Sequence, residues 1–169
     1  MVNNKNIVWK FTNQRELTKG QFLDYFEKKI FRTIRQYDML KDKDGRRIKI
    51  KKEASLNFIV LKSILEKKFE VIVVNSSRGF DICSDNLSDV AESAFENVLD
   101  GIFNLKKLKP KNQPLYFLSD AEVLLYSKLS GLKGRMKKRN AHVQKLFVTF
   151  MKKNPDIEHN IVNAMRQLE

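Results

Sequence analysis

The sequence predicts an α/β protein in which a small, mostly parallel sheet is flanked by helical extensions at both ends. Three observations carry this. Between Arg46 and Asn75 a half-exposed strand, a deeply apolar helix and a buried strand follow one another, the order of a βαβ unit. Runs with helical spacing of apolar residues lie before and after that unit. The 169 residues are 42% hydrophobic with only 6 Gly and 3 Pro, which suits a chain that buries a core rather than a low-complexity one.

The first helix is expected over Thr18 to Leu40. Thr18 with Gln21 three residues later makes a capping box, and Phe22, Phe26, Ile30, Ile34 and Tyr37 form one apolar stripe. Lys41-Asp-Lys-Asp-Gly45 is a turn by composition. Ile48 and Ile50 alternate with basic residues in Arg46–Lys52, as in a strand with one wet face. Leu56–Leu65 is apolar almost all round and reads as a helix packed on a sheet. Phe69–Asn75 reads as a buried strand parallel to the first, and Phe80–Cys83 as a short further strand. Leu87, Val90, Ala91, Ala94, Phe95, Val98, Leu99 and Ile102 give the cleanest helical period, with Asp89, Glu92, Glu96 and Asp100 opposite. After the basic connection Lys106–Lys111, Ser119 and Glu122 form another capping box, and Gly131 ends that helix. Two amphipathic helices follow, one with Val143, Leu146, Phe147 and Phe150, the other with Ile161, Val162, Met165 and Leu168, separated by Asn154-Pro155. Three segments result: a helical lead-in over 1–44, an α/β core over 45–131 and a basic helical region over 132–169.

The charge is uneven. Residues 1–52 carry 15 basic and 6 acidic side chains, residues 53–105 carry 4 and 9, and residues 106–169 carry 14 and 5. Two basic ends therefore flank an acidic middle, within a formal net charge of +13. Such a field attracts polyanions, of which nucleic acid is the commonest in a cytosol. No stretch approaches the 18 apolar residues of a membrane span, and the opening Met-Val-Asn-Asn-Lys-Asn has no apolar stretch behind it. Cytoplasmic residence without membrane contact is the expectation.

The residues that could carry chemistry are few. Cys83 is the one cysteine, so a thiolate zinc site or an all-cysteine iron–sulfur cluster cannot be built from this chain, and a buried structural thiol is expected. His142 and His159 read as surface or cap residues. Asp85, Asn86 and Asp89 mark a strand-to-helix corner, where helix capping and an active-site edge both fit. The cationic clusters stand out more: Lys28, Lys29, Arg32 and Arg35 on one helix, Arg46 and Arg47 at a turn, and Lys133, Arg135, Lys137, Lys138 and Arg139 on a loop. Each alone reads as a solvated face. Together they point to contact with a phosphate backbone.

A family resemblance runs through most of the chain. Phe22–Leu40 resembles the lead-in helix of the PP-loop ATPases that thiolate tRNA uridines. Asn86-Leu-Ser-Asp-Val-Ala91 resembles that family's Asn-Leu-Asp-Asp-x-Ala corner, and Pro114–Tyr126 its Pro-Leu-x-x-x-x-x-x-Glu-x-x-Leu-Tyr segment. Arg139–Phe147 and Asn154-Pro155 resemble its closing helices. The resemblance implies a reduced Rossmann-like sheet of the HUP type. It also implies a nucleotide loop at the start of the second helix, where the family carries Ser-Gly-Gly-x-Asp-Ser. Here Glu53-Ala-Ser-Leu-Asn-Phe58 stands instead. Glu53 would face phosphate with like charge, Ala54 and Ser55 replace the glycines, Asn57 lies within the loop and Phe58 ends it. The family's zinc and cluster cysteines are also missing.

The expectation is therefore a relative that has lost catalysis, with no catalytic residue, cofactor or metal. It would bind tRNA or another structured RNA and serve as an accessory subunit for tRNA modification, beside an active PP-loop homologue or a second copy of itself. Two alternatives stay open at this point. One is a minimal nucleotide-binding enzyme, sulfurtransferase-like and ATP-dependent, using Asp85, Asn86 and Asp89. The other is a protein-interaction scaffold.

Overall fold

The computed structural model describes residues 6–40, 46–102 and 111–167. It is a mixed α/β protein with six helices and two small sheets among those residues. Strands β1 (Ile7–Lys10) and β2 (Glu16–Thr18) form an antiparallel hairpin that leads into α1 (Lys19–Gln36). Strand β3 (Arg47–Lys51), α2 (Leu56–Leu65) and β4 (Glu70–Val74) are the βαβ unit expected from sequence, and the strands pair in parallel with Ile48 opposite Val71 and Ile50 opposite Val73. Helices α3 (Leu87–Leu99), α4 (Asp120–Ser130), α5 (Ala141–Lys153) and α6 (Ile157–Gln167) complete the chain.

The hairpin is absent from the sequence reading, which has the lead-in purely helical. Its reversal is made by Gln14 at φ 67, with the Phe11 amide donating to the Arg15 carbonyl at 2.8 Å. Strand β2 is three residues long, too short for alternation to show, and Thr18 both ends it and opens α1. There the Gln21 side chain accepts from the Thr18 amide at 3.0 Å, the expected box. Helix α1 stops at Gln36, with Asp38 at φ 47, rather than running to Leu40.

The sheet is smaller than the expected one. The Phe80–Cys83 segment contributes only a parallel bridge, Ile82 to Ile50, with the Lys51 amide donating to the Ile82 carbonyl at 3.0 Å. The Lys49 amide donates instead to the Asp81 carboxylate at 2.8 Å, so a side chain takes over part of the ladder. Three parallel segments thus point their carboxyl ends the same way: residues 52–55, 75–79 and 83–86.

Two apolar clusters hold the chain. The larger joins Phe22, Phe26, Ile30 and Ile34 of α1 to Ile48, Ile50, Val60, Ile64 and Ile82 and to Val123 and Tyr126 of α4. The smaller joins Leu87, Val90 and Ala91 of α3 to Tyr116, Phe147 and Val162, so α3 packs on the C-terminal helices. Phe150, expected on a core stripe, is 45% exposed and touches Phe95 ring to ring at 5.7 Å. The Lys41–Gly45 turn, residues 106–110 of the basic connection, and Leu168 lie outside the described residues.

Candidate functional site

The carboxyl ends of the parallel segments are where an α/β sheet places its ligands, and here they are filled by the chain itself. Ser55 caps α2, its hydroxyl accepting from the Phe58 amide at 3.3 Å. The next orphan amide, that of Leu56, donates to the Arg135 carbonyl at 2.7 Å. Residues 132–140 therefore cross the mouth of α2 as a strap. Gly134 makes the crossing possible: a Cβ there would lie 2.8 Å from Ile59 Cδ1 and 3.3 Å from Leu56 Cα, so a side chain would push the strap away.

Side chains pin the strap from below. Lys137 Nζ lies 2.8 Å from Asp85 Oδ1 and 3.8 Å from Glu53 Oε1, and the other oxygen of Glu53 accepts from the Ser84 hydroxyl at 2.7 Å. Burial disfavours the Lys137 charge, but the hydrogen bond and charge of Asp85 outweigh it and hold its pKa above the usual lysine value. Arg139 turns fully inward, with its side chain 8% exposed. Its Nε donates to Asp89 at 2.9 Å, its two terminal nitrogens fork onto both oxygens of Asp120, and one of them reaches Glu92 at 3.2 Å. Burial works against this charge too, yet Asp120, Asp89 and Glu92 together raise the pKa, so the guanidinium is firmly ionised. The same burial raises the pKa of Asp89 and Glu92, against the pull of Arg139.

Asn86 and Asp89 form a complete capping box for α3, each side chain accepting from the other's amide at 3.0 Å. Asn57 is buried and donates to Asp89 at 3.1 Å, tying the start of α2 to the start of α3. The corner residues thus act as caps and as the acidic floor under the strap. Asp120 and Ser84 belong to this network but are absent from the residues singled out by sequence, and Glu92, expected on the polar face of α3, is buried in it. Glu92 lies three residues beyond Asp89 on one helix face, a spacing that was visible. That Asp120 and Arg139 converge on the same point was not. Cys83 is buried beside Asp85; burial first, then the Asp85 charge, pushes its thiol up to about 12, and it is inert as a nucleophile.

Glu158 extends the network into α6. It is buried, accepts from the Ser88 hydroxyl, and that hydroxyl in turn accepts from the Asp120 amide at 3.0 Å. Burial, with further help from the Asp120 and Glu92 charges, raises its pKa to about 7 against the Ser88 hydrogen bond and Arg139. A carboxyl that takes up a proton more readily when folded stabilises the fold below its unfolded value and loses that contribution as pH rises through the folded one. Stability should therefore fall between about pH 4.5 and 7, by at most about 3 kcal/mol from this group. Glu158→Gln keeps the acceptor for Ser88 without the charge. Urea midpoints measured from pH 5 to 8 should show a flatter profile for this variant and a higher midpoint than wild type at pH 8.

The structure divides the cations expected to meet a phosphate backbone. Arg139 is buried among carboxylates under the strap and the partly exposed Lys137 is paired with Asp85, where the sequence alone reads each cluster as a solvated face. Lys29 is also turned inward: its Nζ donates to the Tyr25 hydroxyl at 2.7 Å and lies 3.9 Å from buried Glu122. Burial lowers its pKa, with Glu122 opposing and Arg32 adding. Nearby His159 has its pKa lowered by burial and by the Lys29 charge, while His142 is exposed. Lys28 is exposed but paired with Asp24 at 2.8 Å. Arg32, Arg35, Arg46, Arg47, Lys133, Arg135 and Lys138 are exposed and form no ion pair among the described residues.

A cleft of about 550 Å³ borders the network, lined in part by Asp85, Asp89, Glu92, Lys137, Arg139 and Val143. Among the described residues no group of three or more His, Cys, Asp and Glu side chains is arranged to hold a metal ion, and no helix is long and apolar enough to cross a membrane.

No family profile matches the chain, and no curated protein matches it. Among solved structures, it is similar to the U34-tRNA thiolase NcsA from Methanococcus maripaludis, solved with its [4Fe-4S] cluster. The TM-score is 0.73 at 15% identity, over 96% of this chain and 84% of that one. At that identity the likeness shows a shared fold.

Proposed function

We propose that this chain is a non-catalytic, tRNA-binding relative of the tRNA thiolases, with a reduced Rossmann-like core, acting in the cytoplasm as an accessory subunit for tRNA modification. Two lines support the kinship. The sequence resemblance runs in order through most of the chain, and the fold is similar to that of a tRNA thiolase at a TM-score of 0.73. The loss of catalysis rests on one observation above others: the Leu56 amide, at the helix start where the family's loop would cradle phosphate, donates to the chain's own Arg135 carbonyl. Glu53 and Asp85 add carboxylates at that spot, bound to Lys137. The chain does not fit the cluster either, since Cys83 is its single cysteine and lies buried.

The exposed cations supply the RNA contact, and an active homologue or a second copy supplies the partner. Filter binding to total tRNA over a salt series tests this. Affinity should fall steeply with salt, by about 0.9 in log–log slope for each phosphate neutralised; a flat dependence removes the phosphate contact. A second reading is favoured by the cleft beside Asp85 and Asp89, whose volume of about 550 Å³ is that of a small-molecule site. There the chain would be a minimal nucleotide-binding enzyme, and a nucleotide would stabilise it.

A further inference from the structure

We infer that RNA is gripped at the amino-terminal edge of the parallel strands, on the opposite end of the sheet from the strap. The inference rests on the RNA-binding reading above and gives it a location. Phe31 of α1 lies against Phe69, just before β4, with ring centroids 6.2 Å apart, and Lys68 Nζ sits 4.1 Å over the Phe31 ring. The Glu70 amide donates to the Arg46 carbonyl at 2.8 Å, which brings the start of β3 to the same place. Arg32 and Arg35 flank Phe31 on the exposed side of α1. One continuous surface thus collects Arg32, Arg35, Arg46, Arg47, Lys67 and Lys68.

Among the described residues, Glu27 pairs with Lys67, Glu66 pairs with Lys62, and Glu70 lies opposite Arg47 in the strand register, so Arg32, Arg35, Arg46 and Lys68 are left without an ion pair. The carboxyl-terminal end is balanced differently. There Glu53, Asp85, Asp89, Glu92 and Asp120 outnumber the Lys137 and Arg139 that they hold, so the exposed Lys52, Arg78, Lys133, Arg135 and Lys138 stand beside an acidic floor that weakens their field. Phe31 is covered by Lys68 and offers no free face for a base. The surface therefore suits the sugar–phosphate backbone of a structured RNA, read by charge rather than by sequence.

The test compares two variants of the full chain with wild type, by filter binding to purified total tRNA across a salt series. The first carries Arg32→Ala, Arg35→Ala, Arg46→Ala and Lys68→Ala. The second carries Lys133→Ala, Arg135→Ala and Lys138→Ala. All seven side chains are exposed, and unchanged melting temperatures confirm that both variants fold. The first should bind tRNA at least about tenfold more weakly, with a salt slope reduced by about one for each phosphate no longer neutralised. The second should change affinity by less than about twofold. If wild type retains tRNA and the first variant retains it equally, this placement is overturned while RNA binding stands. A larger fall in affinity for the second variant overturns it as well. If wild type holds no tRNA at low salt, the RNA-binding reading falls, and the placement with it. If wild type instead binds phosphatidylserine vesicles through the amino-edge cations, the partner is a membrane and the inference is wrong.

Discussion

Replacing Arg139 with alanine is expected to destabilise the protein by about 3–5 kcal/mol, the usual cost of removing one partner from a buried ionic cluster. The guanidinium is paired with each of Asp89, Glu92 and Asp120, and its side chain is 8% exposed. Without it these largely buried carboxylates lose their counter-charge, and the strap loses its deepest anchor. For a chain of this size the melting temperature should drop by about 6–20 °C. Acid should partly rescue the variant, because burial already raises the pKa of Asp89 and Glu92 and their protonation removes the repulsion. Urea unfolding at pH 5 and pH 8 checks both points. A destabilisation under about 1 kcal/mol, equal at the two pH values, would mean that Arg139 is solvated like an ordinary surface pair.

The other large effect is expected at the joint between the lead-in and the core. Phe26 is fully buried and stacks on Tyr126 with ring centroids 4.4 Å apart and an interplanar angle of 21°. Phe26→Ala removes that stack and leaves a cavity under α1, costing about 3–5 kcal/mol. The same joint holds a hydrogen bond, since the Tyr126 hydroxyl donates to Glu27 at 2.7 Å. Tyr126→Phe should cost far less, about 1 kcal/mol, because one partly exposed hydrogen bond is removed and the ring packing stays. Chemical denaturation of both variants gives the comparison; equal effects would contradict the packing account.

Periodicity and capping made much of this fold legible. Thr18 with Gln21 and Ser119 with Glu122 mark helix starts within a residue or two, because a cap is a local interaction written in adjacent side chains. The βαβ unit was equally visible, since Ile48 and Ile50 alternate and α2 is apolar almost all round. The β1–β2 hairpin was hidden because strands of four and three residues are too short to show a period. The site was harder to see for a different reason. Lys133–Arg139 reads as a solvated basic loop, and its composition is the same whether it faces water or carboxylates. Only the three-dimensional path of the strap, brought down on α2 by Gly134 and the Arg135 carbonyl, buries Arg139 among carboxylates and sets the partly exposed Lys137 on Asp85.

The strap stands at the start of α2, at the end of the sheet where an α/β protein receives its ligands. Thermal melting of the full chain with and without millimolar ATP or AMP measures this most directly. A ligand present at a hundred times its dissociation constant adds about 2.7 kcal/mol, which in a protein of this length raises the melting temperature by about 5–10 °C. The strap predicts no rise. A rise of several degrees would show that the start of α2 still receives a nucleotide, and that the strap is not a permanent part of the site.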